Sequence, residues 1–140
     1  MSVEVILLCG LPGSGKSTWC SETLQESHVV VSKDRMPRSS RKQARQDREI
    51  RAAVALGRPV VVDNTNLTRA ARALVIEIAR ELGVPCRAVV LATPLDVALA
   101  RNAVRPGNAR VPDGVVRQMA RAWEPPSRDE GLLEVLWVGG

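Results

Sequence analysis

Short apolar runs alternate along this chain with longer stretches of helical period. Residues 3–9 are apolar apart from Glu4, as in a strand buried on both faces. A glycine-rich turn follows, and residues 16 to about 26 read as a helix. Residues 28–32 form a second short apolar run. Residues 38–56 read as a helix stopped by Gly57, and residues 59–63 as a third strand. Thr68 is a helix cap before Ala71, Leu74, Val75, Ile78 and Leu82, which recur at helical spacing. Gly83 ends that helix and Pro85 prevents its resumption. Residues 86–92 make a fourth strand. Thr93-Pro94-Leu95-Asp96 reads as a helix start, with Thr93 as the cap and Pro94 in the first helical position. That helix runs to about Val104, a loop covers residues 105–112, a helix covers 113–123, and residues 132–138 suit a last strand. Strands separated by helices of crossover length predict a three-layer α/β sandwich, with a mostly parallel twisted sheet of four or five strands and helices on both faces.

The length of 140 residues suits a single domain over residues 1–140. Hydrophobic residues make up 45% and charged residues 25%, and no apolar run approaches the roughly 20 residues of a membrane span. No secretory leader is evident, and Cys9, Cys20 and Cys86 fit neither a disulfide framework nor a zinc site. A reducing, cytoplasmic setting is therefore expected. Charge alters the picture more. The net charge is +5, yet residues 33–58 hold nine basic and three acidic side chains, so that segment is +6 and the remainder −1. The basicity is local. With three Trp and no Phe or Tyr, extensive stacking of bases on aromatic platforms is not expected.

Gly10-Leu11-Pro12-Gly13-Ser14-Gly15-Lys16-Ser17 lies between the first strand and the first helix. G-x-x-x-x-G-K-S in that setting makes a nest of backbone N–H groups at a helix N-terminus, which holds the phosphates of ATP. Gly13, Ser14, Gly15, Lys16, Ser17 and Thr18 are the nucleotide-binding candidates, with Lys16 on the β- and γ-phosphates and Ser17 on Mg²⁺. The fold class is accordingly the P-loop NTPase type. Asp63, at the end of the third strand, is the second candidate for Mg²⁺; its alternative, compatible reading is a cap for the Asn64-Thr65-Asn66 turn.

Phosphoryl transfer also needs an acceptor site. Asp34 follows the second strand, at the end of a parallel sheet where ligands bind, and Lys33 and Arg35 flank it. It is a candidate base, or else a helix cap. Arg101 and Arg105 lie four apart, entering a Pro-Gly-Asn loop with Arg110 beyond. They suit a lid over ATP spanning about residues 101–112, although helix-end arginines also answer to the helix dipole. Arg38, Arg41, Arg45 and Arg48 fall within an arc of about 80° on one helix. They read as a track for phosphodiesters, or as a solvated face partly offset by Asp47 and Glu49.

These residues resemble the 5′-kinase domain of the polynucleotide kinase family, the end-healing kinases of phage, bacterial and animal repair enzymes. The likeness runs through the phosphate loop to Trp19, Val31-Ser32-Lys33-Asp34, Val61-Val62-Asp63-Asn64-Thr65-Asn66, Gly83-Val84-Pro85-Cys86 and Arg101-Asn102-Ala103-Val104-Arg105. The tail Trp123-Glu124-Pro125-Pro126-Ser127-Arg128-Asp129-Glu130-Gly131-Leu132 resembles the animal members. The resemblance implies that Asp34 is the general base for a 5′-hydroxyl of DNA or RNA, and that Arg105 contacts the ATP phosphates from the lid beside Lys16. Arg35, Arg38, Arg41 and Arg45 are the acceptor-binding candidates. The phage pattern places an arginine three residues after the base, and Pro37 stands there instead. The stretch from base to third strand is also shorter than in the phage type, and no D-x-D-G-T phosphatase segment occurs. Two alternatives compete: a P-loop kinase for a small-molecule hydroxyl, and an ATP-dependent nucleic-acid-binding module without acceptor chemistry.

Overall fold

A computed structural model describes residues 3–24, 26–33, 36 and 41–139. The strands are β1 (Val5–Cys9), β2 (Val29–Val31), β3 (Val60–Asp63), β4 (Cys86–Leu91) and β5 (Glu134–Val138). The α-helices are α1 (Lys16–Thr23), α2 (Lys42–Ala55), α3 (Arg69–Leu82), α4 (Leu95–Ala103) and α5 (Asp113–Ala122). All five strands join one sheet in the order β2-β3-β1-β4-β5, and every pairing is parallel.

β1 is the middle strand and is wholly buried, which explains its uninterrupted apolar sequence. Its side chains alternate between two cores. Val5, Leu7 and Cys9 join Val60, Val62 and Val90 under Ile50 and Ala53 of α2 and Val75, Ile78 and Ala79 of α3. Ile6 and Leu8 join Val61, Val89 and Leu91 under Cys20 of α1. Helices therefore cover both faces, as expected. Each fully buried Val, Leu or Ile contributes roughly 1.5–3 kcal/mol. Pairing places the carboxyl ends of β1, β2 and β3 side by side, with Leu8 opposite Asp63 and Val31 opposite Val62.

Two expectations about helices are corrected. Thr68 caps α3 as anticipated, accepting a hydrogen bond from Ala71 N at 3.1 Å, and Gly83 ends it in the left-handed region at φ 70°. The buried face of α3, however, is turned from the apolar stripe read in the sequence. Val75 and Ile78 are buried as read, but Ala71 and Leu74 are exposed, and Arg72, Ile76 and Ala79 are buried in their stead. The reason is an ion pair that accepts Arg72 into the interior. Thr93 does not cap α4. Pro94 is the capping position, and its carbonyl accepts the first helical bond from Ala98 N. The Thr93 hydroxyl instead donates to Ser14 O at 2.8 Å, tying the end of β4 to the phosphate loop. Among the described residues, no helix is long and apolar enough to cross a membrane.

Candidate active site

The glycine-rich segment leaves β1 at Cys9 and enters α1 directly at Lys16. Gly10 N donates to Thr65 O at 3.0 Å, which fixes the start of the loop to the turn after β3. Gly13 has φ +84°, and a Cβ built there would meet the Ala98 carbonyl oxygen of α4 at 2.2 Å. Only glycine lets α4 come so close to the loop. Lys16 Nζ arches back to donate to Leu11 O at 3.1 Å, and Thr18 is exposed on the first turn of α1. Ser14 is 3% exposed, and among the described residues its Oγ is the buried side-chain polar atom left without a hydrogen-bond partner. An orphaned hydroxyl, a curled loop and the N–H groups at the start of α1 make a cradle that fits an anion of phosphate type.

Ser17 Oγ donates to Asp63 Oδ2 at 3.0 Å, joining α1 to β3 across 46 residues of sequence. Asp63 is 5% exposed. A hydroxyl and a carboxylate in contact beside the phosphate cradle form a hard oxygen pair of the kind a nucleotide-bound Mg²⁺ takes. The thiol of Cys9 takes no part. Burial pushes it up to about 12, so it stays protonated and inert.

Arg101 ends α4 with a guanidinium nitrogen 3.6 Å from where a Cβ on Gly15 would lie, directly beside the phosphate loop. Arg105 follows α4 and is half-buried, its N–H donating to Asn102 O at 3.1 Å. Asn102 is fully buried and accounts for the loop's return. Its Nδ2 donates to Val111 O at 2.5 Å and its Oδ1 accepts from Val111 N at 3.0 Å. The segment that leaves α4 after Ala103 is therefore pinned back onto the helix at Val111.

On the other side, Asp34, Arg35 and Arg38 lie outside the described residues. Lys33 N donates to Asn64 Oδ1 at 3.0 Å, and Asn64 Nδ2 donates to Gln46 Oε1 of α2 at 2.6 Å. Lys33 Nζ donates to Gln43, and Gln43 to Asp47, at 2.6 and 3.0 Å. Hydrogen bonds thus lock the exit of β2 to the turn after β3 and to α2. Arg41, at the N-cap of α2, is exposed, as are Arg45 and Arg48 on the face of α2 away from the buried Gln46, Ile50 and Ala53. Arg45 is held by Glu49 at 3.2 Å, an i,i+4 pair whose net worth is about 0.3–0.5 kcal/mol, so its charge is easily released to a stronger partner.

Of the residues singled out in the sequence, the structure sets Ser17 against Asp63 and Arg101 beside Gly15, with Lys16 folded back on Leu11. The sequence reading did not foresee the contacts made by Asn66, Thr93, Asn102 and Gln46. Asn66 has φ 47°, and its Nδ2 donates to Leu8 O at 2.6 Å and Val62 O at 3.3 Å, stitching β1 to β3. A buried amide on the apolar face of α2, Gln46 one turn before Ile50, was the available signal.

The AAA domain family matches residues 5–126. The chain is similar to the bifunctional polynucleotide phosphatase/kinase of Schizosaccharomyces pombe, with 28% identity over 139 residues covering 94% of this chain and 32% of that protein. The chain spans no more than 32% of the length of the curated relatives it matches. Among solved structures it is similar to an unliganded sugar kinase from Janibacter sp. HTCC2649, with TM-score 0.69 and 18% identity, over 99% of this chain and 85% of that one. It is likewise similar to a fungal RNA kinase, with TM-score 0.68 and 14% identity, over 99% and 75% of the two chains. At these identities the solved structures speak for the fold. Taken with the phosphate loop and the five-stranded parallel sheet, the match over residues 5–126 means that this chain belongs to the AAA-domain family of P-loop kinases.

Proposed function

We propose that this chain transfers the γ-phosphoryl group of ATP, with Mg²⁺, to the 5′-hydroxyl end of DNA or RNA. The observation that carries the reading is the similarity of 94% of the chain to a polynucleotide phosphatase/kinase. The exposed arginines of α2, beside the exit of β2, support it, because a string of phosphodiesters is the ligand such a face suits.

In this reading the N–H groups from Gly13 to Thr18 cradle the phosphates and Lys16 leaves Leu11 O for the β- and γ-oxygens. Ser17 and Asp63 would hold Mg²⁺, which when bound would neutralise charge on the phosphates being transferred. Arg101 and Arg105, on the segment 101–112, close over the nucleotide and stabilise the charge developing on the transferred group. Asp34 takes the proton of the 5′-hydroxyl as its oxygen bonds to the γ-phosphorus and the bond to ADP breaks. Arg35, Arg38, Arg41 and Arg45 receive the phosphates of the acceptor strand.

Transfer of label from γ-labelled ATP to a 5′-OH oligonucleotide tests this. Wild type is expected to label the end. Lys16→Ala abolishes transfer, and Asp34→Ala lowers it by about 10²–10⁴-fold without loss of ATP affinity. Phosphorylation of a sugar with no label on any DNA or RNA end would replace this reading with a small-molecule kinase. ATP hydrolysis indifferent to Asp34→Ala, with no acceptor phosphorylated, would leave a nucleotide-dependent binding module.

A further inference from the structure

Among the described residues, Arg72 has the largest fully buried side chain. Its Nε and Nη2 donate to the two carboxylate oxygens of Glu130 at 2.9 and 3.2 Å, and the Glu130 side chain is only 4% exposed. Its Nη1 donates to Asn66 O at 2.9 Å, and the guanidinium lies 6.0 Å from the centre of the Trp123 ring. The tail that supplies Glu130 is strapped to the same place. Glu124 N donates to Leu67 O at 2.8 Å, and Glu124 Oε1 accepts from Arg69 N at 3.1 Å. Glu130 Oε2 also accepts from Ser127 N at 2.8 Å.

A buried ion pair is a poor way to gain net stability, since packed apolar side chains do as well or better. What this pair holds is a position. Asn66 closes the turn that begins at Asp63, and its side chain is spent on the ends of β1 and β3. Within that turn Asp63 meets Ser17, Asn64 meets Lys33 N, and Thr65 O takes Gly10 N. These three residues thus join the phosphate loop to the exit of β2. Arg72 grips the far end of the turn through the Asn66 carbonyl.

We infer that Arg72 and Glu130 are positioning residues for phosphoryl transfer: the pair fixes the turn from Asp63 to Asn66 and so sets the Asp63 carboxylate against Ser17 for the nucleotide's divalent cation. This rests on the reading of Ser17 and Asp63 as the metal side. It also gives the tail from Trp123 to Glu130 a purpose, because that segment delivers the carboxylate that holds Arg72.

The test is calorimetric affinity for ADP with and without Mg²⁺, on wild type, Glu130→Gln, Arg72→Lys and the paired apolar variant Arg72→Met with Glu130→Met. The paired variant removes both charges together, so it is the one expected to keep a near-native urea midpoint. Metal-free ADP affinity should be unchanged in every folded variant, since the phosphate loop is intact. The gain in ADP affinity on adding Mg²⁺ should fall by about tenfold or more, the effect typical of losing a partner that orients a metal ligand. Arg72→Lys keeps the charge but lacks the fork, and should not restore the gain. A paired variant that folds and retains the full Mg²⁺ gain overturns the inference. Asp63→Ala separates the two levels. If it abolishes the Mg²⁺ gain while the paired variant does not, the positioning role fails and the metal side stands. If it leaves the gain intact, the metal reading itself is wrong and the inference falls with it.

Discussion

Replacing Gly13 by alanine puts the contact between the phosphate loop and α4 to a direct test. The added Cβ would lie 2.2 Å from Ala98 O and 3.0 Å from Asn102 N. Both are backbone atoms of a helix, and neither can swing aside as a side-chain tip would. Ordinary contact begins at 3.4 Å, so loop and helix must part by 3.4 − 2.2 = 1.2 Å along that line. A second effect is separable. At φ +84° an L-residue is in the left-handed region, which costs about 1–2 kcal/mol on its own. Gly83 provides the control, because it has φ +70° with nothing within 4 Å of a built Cβ. Gly83→Ala should therefore lose about 1–2 kcal/mol in equilibrium urea unfolding and leave turnover unchanged. Gly13→Ala should lose at least as much stability and, in addition, about 10²-fold in kcat, because α4 carries Arg101 and leads into Arg105. Steady-state phosphoryl transfer at saturating ATP reads this out. If the kcat of Gly13→Ala stays within about threefold of the Gly83→Ala value, then α4 does not take its place from the loop and the reasoning is refuted.

Three further outcomes are expected. Thr68→Ala removes the cap on Ala71 N and should destabilise the fold by about 1 kcal/mol in urea, with Thr93→Ala leaving α4 intact because Thr93 is no cap. Burial pushes the Glu4 carboxyl up, but hydrogen bonds from His28 and Arg87 together outweigh it and hold the group below its ordinary 4.5. Glu4 thus adds stability above pH 4.5 that is lost as the pH falls through its lowered value; Glu4→Gln should flatten that part of the acid limb, followed by circular dichroism, and an unchanged limb would count against the network. Changing Arg41, Arg45 and Arg48 to Gln should weaken oligonucleotide binding and reduce the slope of log K against log salt by about 0.7–0.9 for each phosphate no longer neutralised, whereas an unaltered slope would remove α2 from the acceptor path.

What could be read from the chain beforehand was whatever depends on neighbours in sequence. Thr68 and Gly83 bound α3 because a cap and a left-handed stop act within a turn of the helix. The phosphate loop announces itself for the same reason: its glycines, Lys16 and Ser17 work as a contiguous backbone unit. Thr93 failed as a cap because its hydroxyl found Ser14 O, 79 positions away, and no local pattern records such a partner. The roll of α3 escaped for the same cause. An arginine one turn into a helix reads as solvated until Glu130, 58 residues later, is known to meet it. Asn102 was legible as part of an R-N-x-x-R string, but its pairing with Val111 follows from the loop's path rather than from composition.

The order β2-β3-β1-β4-β5 has a consequence for synthesis. The strand made first sits in the middle, and its second neighbour is complete only at Leu91, 82 residues after Cys9. At ribosomal speeds of 5–20 residues per second, the segment Val5–Cys9 waits about 4 to 16 s for both its partners. Five apolar residues in a row, without charge or proline, are a ready template for wrong pairing during that interval. The nascent chain therefore gains its nucleotide cradle late, after β4 is out, and ligand can do nothing to protect it before then. The strand that carries the phosphate loop at the centre of the sheet is also the one that waits longest for its neighbours.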